Sequence, residues 1–206
     1  MDERATLRSH LYQSSSQTPR GAAVGKVIEA IAAAAIDLAA RIADGPLAGI
    51  TGQIDGVNSD GDQQKDIDIV ADAMMRRALR GTPVAAVLSE EAALPETFRP
   101  TAPFCVAIDP LDGSANLENN ISVGTIFSIR PRGNDVLSTF FEPGTAQCAA
   151  GFIVYGPQTT LVLAFNVSVD IFILNRRTRE FLLTAQGVRV APATPLPLVP
   201  ARHWSM

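Results

Sequence analysis

The chain has 206 residues, 47% of them hydrophobic and 18% charged, with a formal net charge of −4. That length holds one full domain plus part of a second, and the composition is that of a folded globular chain. An acidic balance without a Lys/Arg run argues against a nucleic-acid partner, and the most apolar stretch, 24–42, is broken by Lys26, Glu29, Asp37 and Arg41, so it cannot supply the roughly 20 uncharged residues of a membrane span.

Met1-Asp2-Glu3-Arg4 carries no apolar signal core, and Cys105 and Cys148 have neither the number nor the spacing of a disulfide or metal framework, so a cytoplasmic setting is expected. Residues 1–20 read as a polar tail or a loosely attached first helix. From Val24 the residues Val27, Ile28, Ile31, Ala35, Leu38 and Ile42 recur at threes and fours, which predicts a long amphipathic helix over a sheet, stopped by Gly45-Pro46. A turn-rich stretch, 55–62, leads into a second helix with Ile67, Val70, Met74 and Ala78 on one face, capped at or beside Asp62. Strand-like runs follow at 83–88, 104–108 and 122–129. Cys148, Phe152 and Tyr155 suggest a short helix, and 159–165, 167–174 and 180–184 read as successive strands. The expected class is α/β in a layered α+β arrangement, with helices packed on a mixed sheet and an irregular Pro-rich tail at 191–206.

Three acidic clusters carry the chemistry: Asp62 with Asp66 and Asp68; Ser89-Glu90-Glu91; and Asp109-Pro110-Leu111-Asp112-Gly113-Ser114. The second and third lie where buried strands run out, the place at which open sheets of this kind gather ligands. Pro110 is expected to lead the chain out of its strand in a fixed turn that aims Asp109 and Asp112 at one point, with the Leu111 carbonyl as a further donor. Hard oxygen donors with no His or Cys beside them select Mg²⁺ or Mn²⁺. The small residues Gly113-Ser114-Ala115 let backbone N–H groups approach an anion, and a helix starting there adds its positive end. A phosphate seat beside a metal seat suits phosphate-ester hydrolysis, which needs extensive charge neutralisation. Neither the calcium-loop pattern at 55–66 nor a Ser/His/Asp arrangement survives inspection: the glycine and final acid are misplaced, and His10 and His203 sit near the termini.

Glu90-Glu91 followed by Asp109-Pro110-Leu111-Asp112-Gly113-Ser114 resembles the signature of the magnesium-dependent, lithium-sensitive sugar and inositol phosphatases. Three further strings are similar to class I fructose-1,6-bisphosphatases: Gly61-Asp62-Gln63-Gln64-Lys65-Asp66-Ile67-Asp68, Ser122-Val123-Gly124-Thr125-Ile126-Phe127-Ser128-Ile129, and Tyr155-Gly156-Pro157-Gln158-Thr159-Thr160-Leu161-Val162-Leu163. The resemblance runs from about Val24 to about Val190. It implies Mg²⁺-dependent hydrolysis of D-fructose 1,6-bisphosphate to fructose 6-phosphate and phosphate, in gluconeogenesis or a Calvin cycle, by a cytoplasmic homotetramer with two or more ions per subunit. It implies that Glu90, Glu91, Asp109, the Leu111 carbonyl and Asp112 hold metal, and that Asp68 and Glu91 position and deprotonate the attacking water. Asp112, Gly113, Ser114 and Ala115 would hold the 1-phosphate, with Ala115 in place of the family's usual second serine.

The same resemblance makes 21–190 the amino-terminal metal-binding domain of a sugar-phosphatase fold plus the start of an incomplete second domain. Family chains continue past residue 206 with groups that grip the 6-phosphate and a late metal-binding glutamate. Arg202-His203-Trp204 reads as a remnant of the family frame beyond a local frameshift or truncation, so weak or absent turnover is expected. Pro103-Phe104 and Pro131 occupy positions that bind inhibitory AMP in animal relatives, which argues against AMP control. Two alternatives differ: an inositol or nucleotide monophosphatase would share the acidic cluster but not the strings at 122–129 and 155–163, and an inactive truncated subunit would associate without turning over.

Overall fold

The computed structural model describes residues 4–15, 18–48, 54–57 and 63–190. The polar start forms helix α1 (Leu7–Ser15), held more firmly than its composition suggests. Leu7 and Leu11 are buried, the Leu183 N–H donates to the Ala5 carbonyl, and His10 Nε2 lies 2.8 Å from Asp170 Oδ2. Helix α2 (Pro19–Asp44) follows, opened by Thr18, whose hydroxyl accepts from the Gly21 N–H, with Pro19 where a missing N–H costs nothing. Gly45 ends it at a φ of 51°, a left-handed value that suits a residue without a side chain. The apolar stripe read from the sequence, from Val24 to Leu38, is buried as expected. No helix among the described residues is long and apolar enough to cross a membrane.

Part of the segment expected as turns forms strand β1 (Ile54–Val57), paired antiparallel with β2 (Gln63–Lys65). The expected cap at Asp62 lies outside the described residues. Helix α3 (Asp66–Arg80) buries Ile67, Asp68, Ala71, Met75 and Leu79. After Ile67 that line is one residue, about 100°, round from the predicted face, whose Val70, Met74 and Ala78 are only half-buried flanks. On this face Asp68 points inward beside the buried Ile67, Ala71, Met75 and Leu79 and meets Ser114.

The remaining strands are β3 (Val84–Ser89), β4 (Glu96–Thr97), β5 (Phe104–Asp112), β6 (Val123–Pro131), β7 (Ala149–Tyr155), β8 (Thr159–Phe165), β9 (Ser168–Asn175) and β10 (Glu180–Ala185), with the short helix α4 (Val136–Thr139) after β6. They form an eight-stranded mixed sheet in the order β10-β9-β8-β7-β6-β5-β3-β4. Every described neighbour pair in it is antiparallel except β3 with β5. The helix expected around Cys148, Phe152 and Tyr155 is strand β7. Its three bulky residues mimic a helical spacing, yet ladders to β6 and β8 satisfy its backbone on both sides, and Ala149-Ala150-Gly151 has no period of its own.

Alternation divides the sheet's two faces. Phe104, Val106, Ile108, Phe127, Ile153, Leu161 and Phe172 join the side chains of α1, α2 and α3 in one core. Cys105 faces the other way and packs with Val136 and Phe140 in a small second cluster. Beyond that cluster the second face is open: Ile126 is 48% and Phe152 43% exposed.

Candidate metal and phosphate site

The parallel pair builds the site. Register places Ser89 beside Ile108, and the Glu90 N–H donates to the Ile108 carbonyl at 3.0 Å, so the turn after β3 delivers Glu90 next to Asp109. Both side chains are half-buried and border a groove of about 970 Å³ on the open face, along with Ile126, Phe152 and Val162.

The expected turn at Asp109-Pro110-Leu111-Asp112 is a continuation of β5 instead. Asp109 pairs with Ile126 and Asp112 with Gly124, so two β5 residues stand opposite Thr125 alone in a bulge. Pro110 has no N–H for the ladder, and its carbonyl accepts from the Thr125 hydroxyl at 2.8 Å, which in turn shares a hydrogen bond of 2.7 Å with the buried Tyr155 hydroxyl. The bulge brings Asp112 within electrostatic reach of Asp109. The Leu111 side chain is buried in the core, and its N–H donates to Asp109 Oδ1 at 3.1 Å.

Asp109 therefore has two carboxylates, Glu90 and Asp112, within electrostatic reach. Burial, a hydrogen bond shared with Glu90 and repulsion from the charges of Glu90 and Asp112 raise Asp109 to about 8, against the Leu111 N–H, which favours its charged form. Among the described residues, no three such groups already surround a single point as a finished ion cage. Glu90 and Asp109 are hydrogen-bonded to each other instead. Neighbouring oxygen donors, with no His or Cys in the lining of the groove, fit a hard divalent cation.

The second half of the site joins Asp68 to the loop after β5. Asp68 is buried in the first turn of α3, and the Ser114 hydroxyl donates to its Oδ2 at 3.0 Å. Gly113 has a φ of 76°, and a side chain there would meet Asn116 Nδ2 at 3.1 Å, so glycine suits this corner. The helix expected to follow is a six-residue 3₁₀ segment, Ser114–Asn119, too short to carry much of a macrodipole. Ala115 is exposed at its start. Asp66 accepts from the Ile67 N–H.

Glu91 enters through its backbone: its N–H donates to Ser89 Oγ at 3.3 Å, and that hydroxyl donates to Asp72 Oδ1 at 2.6 Å. Asp72 also lies 2.7 Å from Arg76 Nε, and Arg76 Nη1 donates to Glu96 Oε2 at 2.9 Å. Burial opposes the Arg76 charge, but Asp72 and Glu96 outweigh it and raise its pKa. Sequence reasoning missed Asp72, Arg76 and Glu96. The four-residue spacing of Asp72 and Arg76 was the available signal.

A mixed sheet under helices defines an α+β protein, with Glu90 and Asp109 at the carboxyl ends of its parallel pair, the place where open sheets gather ligands. Residues 5–186 match the model of the fructose-1-6-bisphosphatase N-terminal domain, and the chain belongs to the fructose-1,6-bisphosphatase family. A class 1 fructose-1,6-bisphosphatase of Bradyrhizobium sp. strain BTAi1 is 57% identical over 100% of this chain and 59% of its own length. One from Nitrobacter vulgaris is 46% identical, over 100% of this chain and 61% of its own. The holo crystal structure of Leishmania major fructose-1,6-bisphosphatase superposes with a TM-score of 0.80 at 28% identity, covering 89% of this chain and 59% of that one. The chain thus spans about three fifths of the length of these relatives.

Proposed function

We propose that this chain carries the metal and phosphate half of a Mg²⁺-dependent fructose-1,6-bisphosphatase, which hydrolyses D-fructose 1,6-bisphosphate to fructose 6-phosphate and phosphate. The placing of half-buried Asp109 beside Glu90 and Asp112, where burial first and the neighbouring carboxylates second raise it to about 8, is the observation that carries this reading. Glu90, Glu91, Asp109, Asp112 and the Leu111 carbonyl hold the ions. Bound magnesium supplies neutralisation of phosphate charge and a more acidic water. Gly113, Ser114 and Ala115 seat the 1-phosphate beside Asp112 through backbone N–H groups and the Ser114 hydroxyl. Asp68, with Glu91, orients and accepts a proton from the attacking water, and its hydrogen bond from Ser114 keeps the base next to the phosphate seat. A cytoplasmic homotetramer in gluconeogenesis or a Calvin cycle completes the proposal.

Because the chain spans about three fifths of its relatives' length, metal binding is the primary test and phosphate release the second. Mn²⁺ titration followed by electron paramagnetic resonance should show binding that Asp109→Asn abolishes. Phosphate release should favour fructose 1,6-bisphosphate over inositol and nucleotide monophosphates, at a low rate. No Mn²⁺ binding at millimolar concentration would remove the metal reading, and a preference for inositol monophosphate would remove the substrate.

A further inference from the structure

We propose that Arg76 is a positioning residue that staples both ends of the acidic segment bearing Glu90 and Glu91. The inference rests on reading those carboxylates as metal ligands.

The segment 90–95 joins the end of β3 at Ser89 to the start of β4 at Glu96. Glu90 has a ladder-like bond to Ile108, but the far side of the segment is a surface turn in which Leu94 is 72% exposed. Such a turn, carrying two like charges, does not hold its carboxylates still unaided. One guanidinium is linked to both of its ends, directly at Glu96 and through Asp72 at Ser89. Arg76 Nε lies 2.7 Å from Asp72 Oδ2 as an ion pair without hydrogen-bond alignment; Asp72 Oδ1 accepts from the Ser89 hydroxyl, and Ser89 Oγ in turn accepts from the Glu91 N–H. Through Nη1 it donates to Glu96, the first residue after the segment.

The surroundings suit a rigid part. Arg76 keeps 17% of its side chain exposed, and Ser89 is 2% exposed. Arg80, one turn further along α3, also pairs with Glu96 and lies 4.7 Å over the Phe98 ring, which fixes Glu96 from a second direction. A planar fork is required because two carboxylates pointing from different elements must be bridged, and a lysine offers only a point charge. Groups that hold ligands from behind commonly change metal affinity by about 10–100-fold when removed.

The test uses the full 206-residue chain and Mn²⁺ binding, with circular dichroism to confirm folding. Arg76→Met, which keeps the aliphatic stem, should weaken Mn²⁺ binding by about tenfold or more, and Arg76→Lys should restore only part of it. Ser89→Ala and Glu96→Gln release one end each. Both should weaken binding, and adding Arg76→Met to the pair should add little, since all three act through one link. Should Arg76→Met fail to fold, the two end variants decide the matter alone. A folded Arg76→Met, or both end variants, binding Mn²⁺ as tightly as the wild type overturns the inference while leaving the metal reading intact. Absence of Mn²⁺ binding by the wild type overturns both.

Discussion

The Ser114 hydroxyl donates to Asp68 Oδ2 at 3.0 Å, joining the first turn of α3 to the loop after β5 across 46 residues of chain. A carboxylate proposed to take a proton from water is thereby tied to the residue proposed to hold phosphate. Asp68→Asn keeps the shape but cannot accept a proton, so phosphate release should fall by about 10²-fold or more while Mn²⁺ affinity changes little. Ser114→Ala should lower stability by about 1 kcal/mol and slow phosphate release, measured by urea unfolding and phosphate assay. Equal rates for Asp68→Asn and wild type would exclude Asp68 as the base.

Asp109 has its pKa raised from its ordinary value to about 8 by burial, the Glu90 hydrogen bond and the charges of Glu90 and Asp112. A raised carboxyl binds its proton more tightly folded than unfolded. Its contribution is therefore fully present below the unfolded value near 4 and is lost as pH rises through about 8. In chelator, the melting temperature of Asp109→Asn should exceed that of the wild type at pH 8, and the gap should close toward pH 5. Mg²⁺ should raise the wild-type melting temperature at pH 8 but not that of the variant. A wild type insensitive to Mg²⁺ and to pH across this window would contradict the crowding.

Gly151 in β7 leaves room that no side chain can share. A Cβ there would lie 2.7 Å from the Phe127 ring and 2.7 Å from the Val162 carbonyl of the neighbouring strand. Gly151→Ala should destabilise by about 1–3 kcal/mol in urea unfolding. Adding Phe127→Leu should recover only part of this, because the carbonyl clash remains. Full recovery would show that the backbone can yield.

His10 fastens α1 to the sheet. Its Nε2 meets Asp170 Oδ2 at 2.8 Å and its ring packs edge-on to Phe172, while Asp170 Oδ1 accepts from the Ser168 hydroxyl and the Gly187 N–H. His10→Ala should cost about 1–3 kcal/mol and raise amide exchange over residues 7–15 more than elsewhere. Uniform exchange across the chain would mean that the pair stabilises the whole fold and not this helix.

Much of this was legible along the chain because it depends on short-range periodicity. The stripe from Val24 to Leu38 predicts α2, and strands β8, β9 and β10 fall within a residue of their expected bounds. The strand β7 was not legible, since Cys148, Phe152 and Tyr155 fit a helix until two neighbouring strands claim their backbone. Nor was the true face of α3, on which Asp68 meets Ser114, a partner far away in sequence.

By itself the sequence determined which residue types are available: seven acids in three clusters, glycine and serine beside the last, and apolar runs periodic enough to become helices and strands. Only the tertiary structure decided how they meet. The parallel register of β3 and β5 sets Glu90 against Asp109, and the bulge at Pro110-Leu111 brings in Asp112. Arg76 is linked to both ends of the acidic turn, directly at Glu96 and through Asp72 at Ser89. The reason is physical: strand register and side-chain bridging join residues distant along the chain, and no local pattern records which strand will lie beside which.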